Sequence, residues 1–206
     1  QTFSRTISVD EDYMFSIKDQ VKNSAATPVT LAAFGVVARH GKPVGLQNFY
    51  VLHEGVVGRT DGKLEELKYK KLLDLPVVER ERAQAEVIEA QTDGWIGFTD
   101  KYWMTTLIPE QGKPFTSVTK YAANPGGTEI YQTEIRQPAV TVAAGATFET
   151  TSELFAGAKE WETIRAYEAA GIPGFIDSID WGWFFFLTKP IFWLLHNLHA
   201  LIGNMG

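Results

Sequence analysis

The sequence predicts an all-β fold, a sandwich of antiparallel strands, over its first 155 residues. Three observations carry that prediction. Short segments alternate apolar with polar residues, as half-buried strands do. Gly, Pro, Asn and Asp interrupt them at short intervals. One interruption, Asp61-Gly62, is a dipeptide that two-residue hairpins favour, because both central positions need a positive φ. Many short strands at this spacing fit a sandwich better than alternating β-α-β units.

Taken in order, DYMFSIKDQVKN (12–23) alternates Tyr13, Phe15 and Ile17 with polar neighbours and closes on a turn-prone Asn-Ser pair. PVTLAAFGVVARHGKPVG (28–45) is an apolar run ending in a Gly/Pro turn, which reads as a strand buried on both faces. QNFYVLHEG and VVGRTDGKLEEL (47–67) read as strands, the second a hairpin. Residues 64–91 fit helix and strand about equally: LKYKKLL and ERERAQAEVIEAQ are rich in helix formers yet also alternate. The run ERER (79–82) reads as a solvated loop or as a charged edge that discourages strand pairing between molecules. GWIGFTDKYWMTTLIPEQGKP (94–114) reads as two strands and a turn, and TEIYQTEIR, PAVTVAAG and ATFETTSELFAG (128–157) as further strands. AKEWETIRAYEAAG (158–171) places Trp161, Ile164, Tyr167 and Glu168 at helical spacing, with Gly171 and Pro173 as stops.

Composition narrows the function. The chain has 206 residues, 45% hydrophobic and 21% charged, with a formal net charge of −6. It carries no basic block to meet phosphate, so a nucleic-acid partner is disfavoured. With no Cys, thiol catalysis, disulfides and Cys-ligated metal are excluded. The opening QTFSRTISV is not a signal peptide, and the run of about 20 apolar residues that spans a bilayer is absent. No metal or cofactor motif is expected.

Candidate chemistry is sparse. An acid/base pair acting on a sugar would draw on His40, His53, Glu54, Asp100, Glu129 and Glu134, but their spacing matches no catalytic or metal-ligand motif. Gly126-Gly127 reads as a turn, since no helix start with Lys follows it. Trp95, Phe98, Tyr102 and Trp103 could line a sugar or peptide groove, although at strand spacing core is the commoner fate of such residues.

The last 29 residues stand apart. Between Trp181 and Trp193 lie three of the six Trp and four of the thirteen Phe. From Ile191 the period is helical: Ile191, Leu194, Leu195, Leu198, Leu201 and Ile202 share one side, while Trp193, His196 and Asn197 fall opposite. Thr188 can cap, with Pro190 in the first turn. Trp prefers the headgroup level of a bilayer, and Lys189 can extend its ammonium to the same level. On the residues alone, two readings stay open: a helix packed on the sandwich, and a helix lying in a membrane interface.

The terminal IDWGWFFFLTKPIFWLLHNLHALIGNMG resembles the segment leading into the second transmembrane helix of Gram-negative YidC membrane-protein insertases. SVDEDYMFSIKDQVKNSAATPVTL, ARHGKPVGLQNFYVLHEGVVG, GWIGFTDKYWMTTLIP and LFAGAKEWETIRAYE resemble that family's large periplasmic domain, in the family's order. The resemblance implies a β-supersandwich of the galactose-mutarotase type over residues 1–157, a helical linker packed on it at 158–177, and an amphipathic interface helix in 178–206. Trp181, Trp183, Phe184, Phe185, Phe186, Lys189, Phe192 and Trp193 would then meet the outer face of the inner membrane. The implied partners are that lipid surface, accessory subunits of the Sec translocon, and membrane-protein substrates received by a transmembrane bundle absent from these residues. A non-catalytic domain at the periplasmic face is expected. A carbohydrate-binding or mutarotase-like sandwich and a chaperone-like peptide-binding surface are the alternatives. A long apolar segment is expected to follow Gly206.

Overall fold

A computed structural model describes residues 1–43, 53–123 and 126–180, with Pro190, Ile191, Leu194 and Leu195 beyond them. It forms an all-β sandwich in which every strand pairing is antiparallel. The strands are β1 (Thr2–Val9), β2 (Met14–Lys22), β3 (Val29–Leu31), β4 (Phe34–His40), β5 (Gly55–Thr60), β6 (Lys63–Lys68) and β7 (Val77–Val78). They continue with β8 (Ala83–Ala90), β9 (Gly94–Thr99), β10 (Trp103–Pro109), β11 (Phe115–Ala123), β12 (Glu129–Arg136), β13 (Val140–Val142) and β14 (Thr147–Ala158). A seven-stranded sheet runs β1-β2-β14-β10-β9-β5-β6, a five-stranded sheet runs β4-β12-β11-β8-β7, and β13 pairs with β3.

Period-two alternation distributes the apolar side chains over two cores. Between the sheets, Val56, Ile96, Phe98 and Leu107 of the larger sheet meet Ala90, Phe115, Tyr131 and Ile135 of the smaller. Their immediate neighbours Val57 and Trp95, with Met104, Ile108 and Phe155, point to the other face of the larger sheet. That face is covered by helix α2 (Trp161–Ala169) and the turn after it, through Ile164, Ile172 and Phe175. The molecule therefore has three layers: sheet, sheet and a C-terminal cover.

The Asp61-Gly62 hairpin forms as its sequence predicts, with Thr60 opposite Lys63 and positive φ at Asp61 (46°) and Gly62 (87°). Asp61 does more than turn: its carboxylate accepts N–H bonds from Gln91 and Thr92 and so ties the hairpin to the β8–β9 connection. The Asn-Ser expectation also holds, but Asn23 is fully buried. Its amide donates to Thr27 O and Val142 O, which locks the β3–β13 pair to the end of β2.

One expectation is corrected and another narrowed. The 28–45 run is not one strand buried on both faces; it divides at Ala32-Ala33 into β3 and β4, and β4 lies at the edge of its sheet. One flank is unpaired and alternate residues are exposed, Phe34 at 68%. ERER is a solvated turn at Glu79, Arg80 and Arg82 but not at Glu81, and it is not an edge strand: residues 79–81 form a 3-10 turn. Arg82 closes it in the left-handed region, and the Glu81 side chain is only 4% exposed. The 64–91 ambiguity resolves mainly to strand, interrupted by the single-turn helix α1 (Tyr69–Leu72), which plugs Tyr69 and Leu72 into the inter-sheet core. Residues 47–52, expected as a strand, lie outside the described residues, as does Pro125 of the Asn-Pro-Gly-Gly turn.

Candidate functional site

The sequence directs attention to the chain on either side of residue 180, and the structure describes how the near side is held. After β14 the chain turns through Lys159 and Glu160 into α2, whose Ile164 is completely buried against Phe155 and its neighbours. Gly171 (φ 120°) ends the helix, and Ile172 N–H bonds back to Tyr167 O. The following turn is clamped from below. Pro173 O accepts hydrogen bonds from Trp95 Nε1 and Arg59 Nη1, both at 3.2 Å. Arg59 is in turn oriented by Asp93 at 2.9 Å. Gly174 has φ 63° and sits so close over the Arg59 side chain that a Cβ there would collide with it. Phe175 packs edge-on to Trp95 and Phe155, with centroids 5.5 and 5.8 Å apart. Tyr167 Oη donates to Asp10 (2.7 Å), and Glu168 accepts the Ile176 N–H (2.8 Å). Last, Asp180 accepts the backbone N–H of His53 at 2.6 Å. The chain is thus tied down up to the residue before Trp181.

These contacts span the seven-stranded sheet: Arg59 and Trp95, directly paired, hold Pro173 near the end of β5 and the start of β9, while Asp180 and His53 lie at the other end. The start of β5, the end of β9, the start of β10 and the end of β14 meet there: Gly55 is opposite Thr99, and Trp103 is opposite Ala158. The Lys159 ammonium donates to Thr99 Oγ1 (2.8 Å); burial lowers its pKa while Asp180, Asp100 and Glu54 oppose that. Asp100 accepts from Arg39 (2.5 Å) and from the Tyr69 hydroxyl (3.1 Å), whose pKa is raised by burial first and by Asp100 second.

The interface residues expected from sequence, Trp181, Trp183, Phe184, Phe185, Phe186, Lys189, Phe192 and Trp193, lie outside the described residues. Within that segment Pro190, Ile191, Leu194 and Leu195 are helical, and Ile191, Leu194 and Leu195 are each about half exposed (52, 51 and 52%). None of the described helices is long and apolar enough to cross a membrane.

The four aromatics weighed as a groove are not brought together. Trp95 and Phe98 differ by an odd number of positions on one strand, so they enter the two different cores, 0 and 5% exposed. Tyr102 and Trp103 are exposed at 63 and 62%. Of the titratable residues, Glu54, next to His53 in the chain, and Asp100 both lie within electrostatic reach of Lys159, while His40, Glu129 and Glu134 belong to the smaller sheet. His53 is buried with Nε2 on Val56 O (2.8 Å), His40 is exposed at the end of β4, and Glu129 pairs with Lys42. Glu134 belongs to a cluster that spacing does not reveal: Glu81 and Glu134, with side chains 4 and 6% exposed, are bridged by Lys120 and Arg136 at 2.5–2.6 Å. No group of His, Asp and Glu among the described residues could hold a metal ion.

A second feature is a cleft. The seven-stranded sheet extends past β4, leaving the inner face of β1 and β2 without a facing layer. An opening of about 450 Å³ there is lined by Phe3, Val21, Leu31, Phe34 and Phe148, with the Arg5–Asp19 pair (2.6 Å) at its floor.

The chain is similar to known proteins over its whole length. The model of the YidC periplasmic domain matches residues 1–194. Membrane protein insertase YidC of Cereibacter sphaeroides is 67% identical over 214 residues, covering 99% of this chain and 34% of that protein. Those of Jannaschia sp. and Paracoccus denitrificans are 54% and 56% identical, covering 99% and 100% of this chain and 35% and 32% of theirs. The chain thus spans about a third of the length of these relatives. A match this long and this close leaves one conclusion: the chain belongs to the YidC periplasmic-domain family.

Proposed function

We propose that the chain is the non-catalytic periplasmic domain of an inner-membrane protein insertase. Residues 1–157 are the sandwich, 158–177 the linker docked on it, and 178–206 the segment that lies in the lipid interface. In the intact protein it supports membrane-protein insertion, with Sec accessory subunits as partners and substrates received elsewhere in the molecule. The observation that carries the reading is the clamp on residues 172–180: Pro173 held by Trp95 and Arg59, Asp180 held by His53. A sheet face that fixes the chain one residue before a Trp- and Phe-rich stretch gives that stretch a defined point of departure, which an interfacial anchor needs. The exposed apolar side of Ile191, Leu194 and Leu195 supports the same reading. Co-sedimentation with phosphatidylglycerol-containing vesicles tests it. The intact chain pellets and the Trp183→Ala/Phe185→Ala variant stays in the supernatant; equal pelleting refutes the anchor.

The inter-sheet cleft favours a second role, holding extended apolar segments. Phe3, Ile7 and Val9 of an edge strand are 67, 58 and 57% exposed, and Phe34 stands opposite at another edge. Phe3→Ser/Ile7→Ser then weakens suppression of aggregation of a denatured test protein; unchanged suppression removes this role.

A further inference from the structure

We infer that the β9–β10 turn, Lys101-Tyr102-Trp103, is a second lipid contact, carried by the sandwich itself and set beside the point where the chain departs toward Trp181. This rests on the anchor reading above and adds to it a surface that the tail does not contain.

Single exposed aromatics are ordinary on a protein surface. Here two adjacent large rings, Tyr102 and Trp103, stand 63 and 62% exposed, with the Lys101 ammonium 4.9 Å from the centre of the Tyr102 ring. Trp, Tyr and Lys are the side chains that suit the headgroup layer: apolar bodies, polar tips, and a cation for anionic lipid. The turn is rigid. Asp100 N–H bonds to Trp103 O and Lys159 N–H to Tyr102 O, both 2.9 Å, while the Asp100 carboxylate is fixed by Arg39 and Tyr69. Pairing with Arg39 also neutralises the one acid within the turn, so the tip itself presents positive charge. Its place in the molecule settles the occupant. Lys159 bonds to this turn through its backbone and feels the Asp180 carboxylate through its ammonium. The turn and the end of the clamped segment are therefore on the same end of the sheet, the end that faces the bilayer if residues 181–193 lie in it. Two contacts separated on one rigid body fix the orientation of the sandwich on the membrane, which a single tether cannot do.

The absence of Cys permits single-site labelling of the whole chain. Environment-sensitive fluorophores are attached to Tyr102→Cys, Trp183→Cys and Lys113→Cys, the last in the turn at the opposite end of β10. Each is mixed with vesicles of phosphatidylglycerol and phosphatidylcholine carrying an acyl-chain nitroxide. Quenching at 102 with none at 113 is expected. Quenching at 183 but not at 102 overturns the second contact and leaves the tail anchor standing. Quenching at neither 102 nor 183 overturns both, and equal quenching at 102 and 113 means nonspecific adsorption and also overturns it. Quenching at 102 alone upholds the turn and removes the tail. Unlabelled variants give the strength: Tyr102→Ala/Trp103→Ala lowers vesicle partitioning about tenfold, and Lys101→Gln about fivefold on anionic vesicles. Unchanged partitioning in both contradicts the inference.

Discussion

Among single residues, Glu81 shows best how little of the tertiary chemistry lies on the surface of the sequence. It sits in a charged run, yet its carboxylate is bound at both oxygens by Arg136, from a strand 55 residues away, and by Lys120. The Arg136 hydrogen bonds are the main reason its pKa is held down at about 2, against opposing burial. A carboxyl with a folded pKa below its unfolded one contributes stability that is complete above about 4.5 and is lost as pH falls toward 2. Denaturation midpoints measured between pH 5 and pH 2 should fall, and Glu81→Gln should flatten that decline. Arg136→Ala leaves two nearly buried carboxylates sharing Lys120 alone and should cost about 3 kcal/mol in urea denaturation at pH 7. Trp95 is a second case. Trp95→Phe keeps most of the packing but loses the bond to Pro173 O, at about 1 kcal/mol. Its sharper signature is faster amide exchange in residues 174–180. The composition of the 94–103 stretch reveals its aromatics but not their allocation. Strand parity separates Trp95 from Phe98, and it could have been applied to the sequence; the exposure of Tyr102 and Trp103 could not, because it depends on which strands leave the sheet end open.

At the level of elements, α2 and the turn after it act as a lid on the outer face of the larger sheet. Ile164→Ala removes the one completely buried side chain of α2 and should cost about 3 kcal/mol. It should also speed tryptic cleavage at Arg165, and an unchanged rate would mean that the helix is not held by this contact. Elements with strong local chemistry were legible: the Asp61-Gly62 hairpin, the strand pair around 94–109, and a helix ended by Gly171. Elements defined by their neighbours were not. Residues 64–91 alternate and also favour helix, and only the partner β11 makes 83–90 a strand. The 28–45 run is apolar enough for a central strand, and only the sheet order reveals that β4 is an edge. β1 pairs with β2 along its whole length yet buries almost nothing, so hydrophobic patterning gives no account of its position.

For the whole molecule, the described residues form a three-layer body that holds the chain at Asp180, the point from which the proposed lipid-seeking segment would depart. The sandwich class was readable from turn spacing, whereas the doubled core was not, since a covered outer face leaves only one extra apolar row per strand. Trp181–Trp193 was conspicuous as composition, but the proposed anchor would depend on the clamp built from Arg59, Trp95 and His53, whose roles no local pattern displays. Hydrogen exchange read by mass spectrometry, with and without phosphatidylglycerol vesicles, tests this most directly. The account predicts that amides of 161–180 exchange slowly in both conditions, while those of 181–193 exchange fast in water and become protected only when vesicles are added. Slow exchange across 181–193 in water, unchanged by lipid, would mean that this segment is packed on the protein itself and would contradict the account.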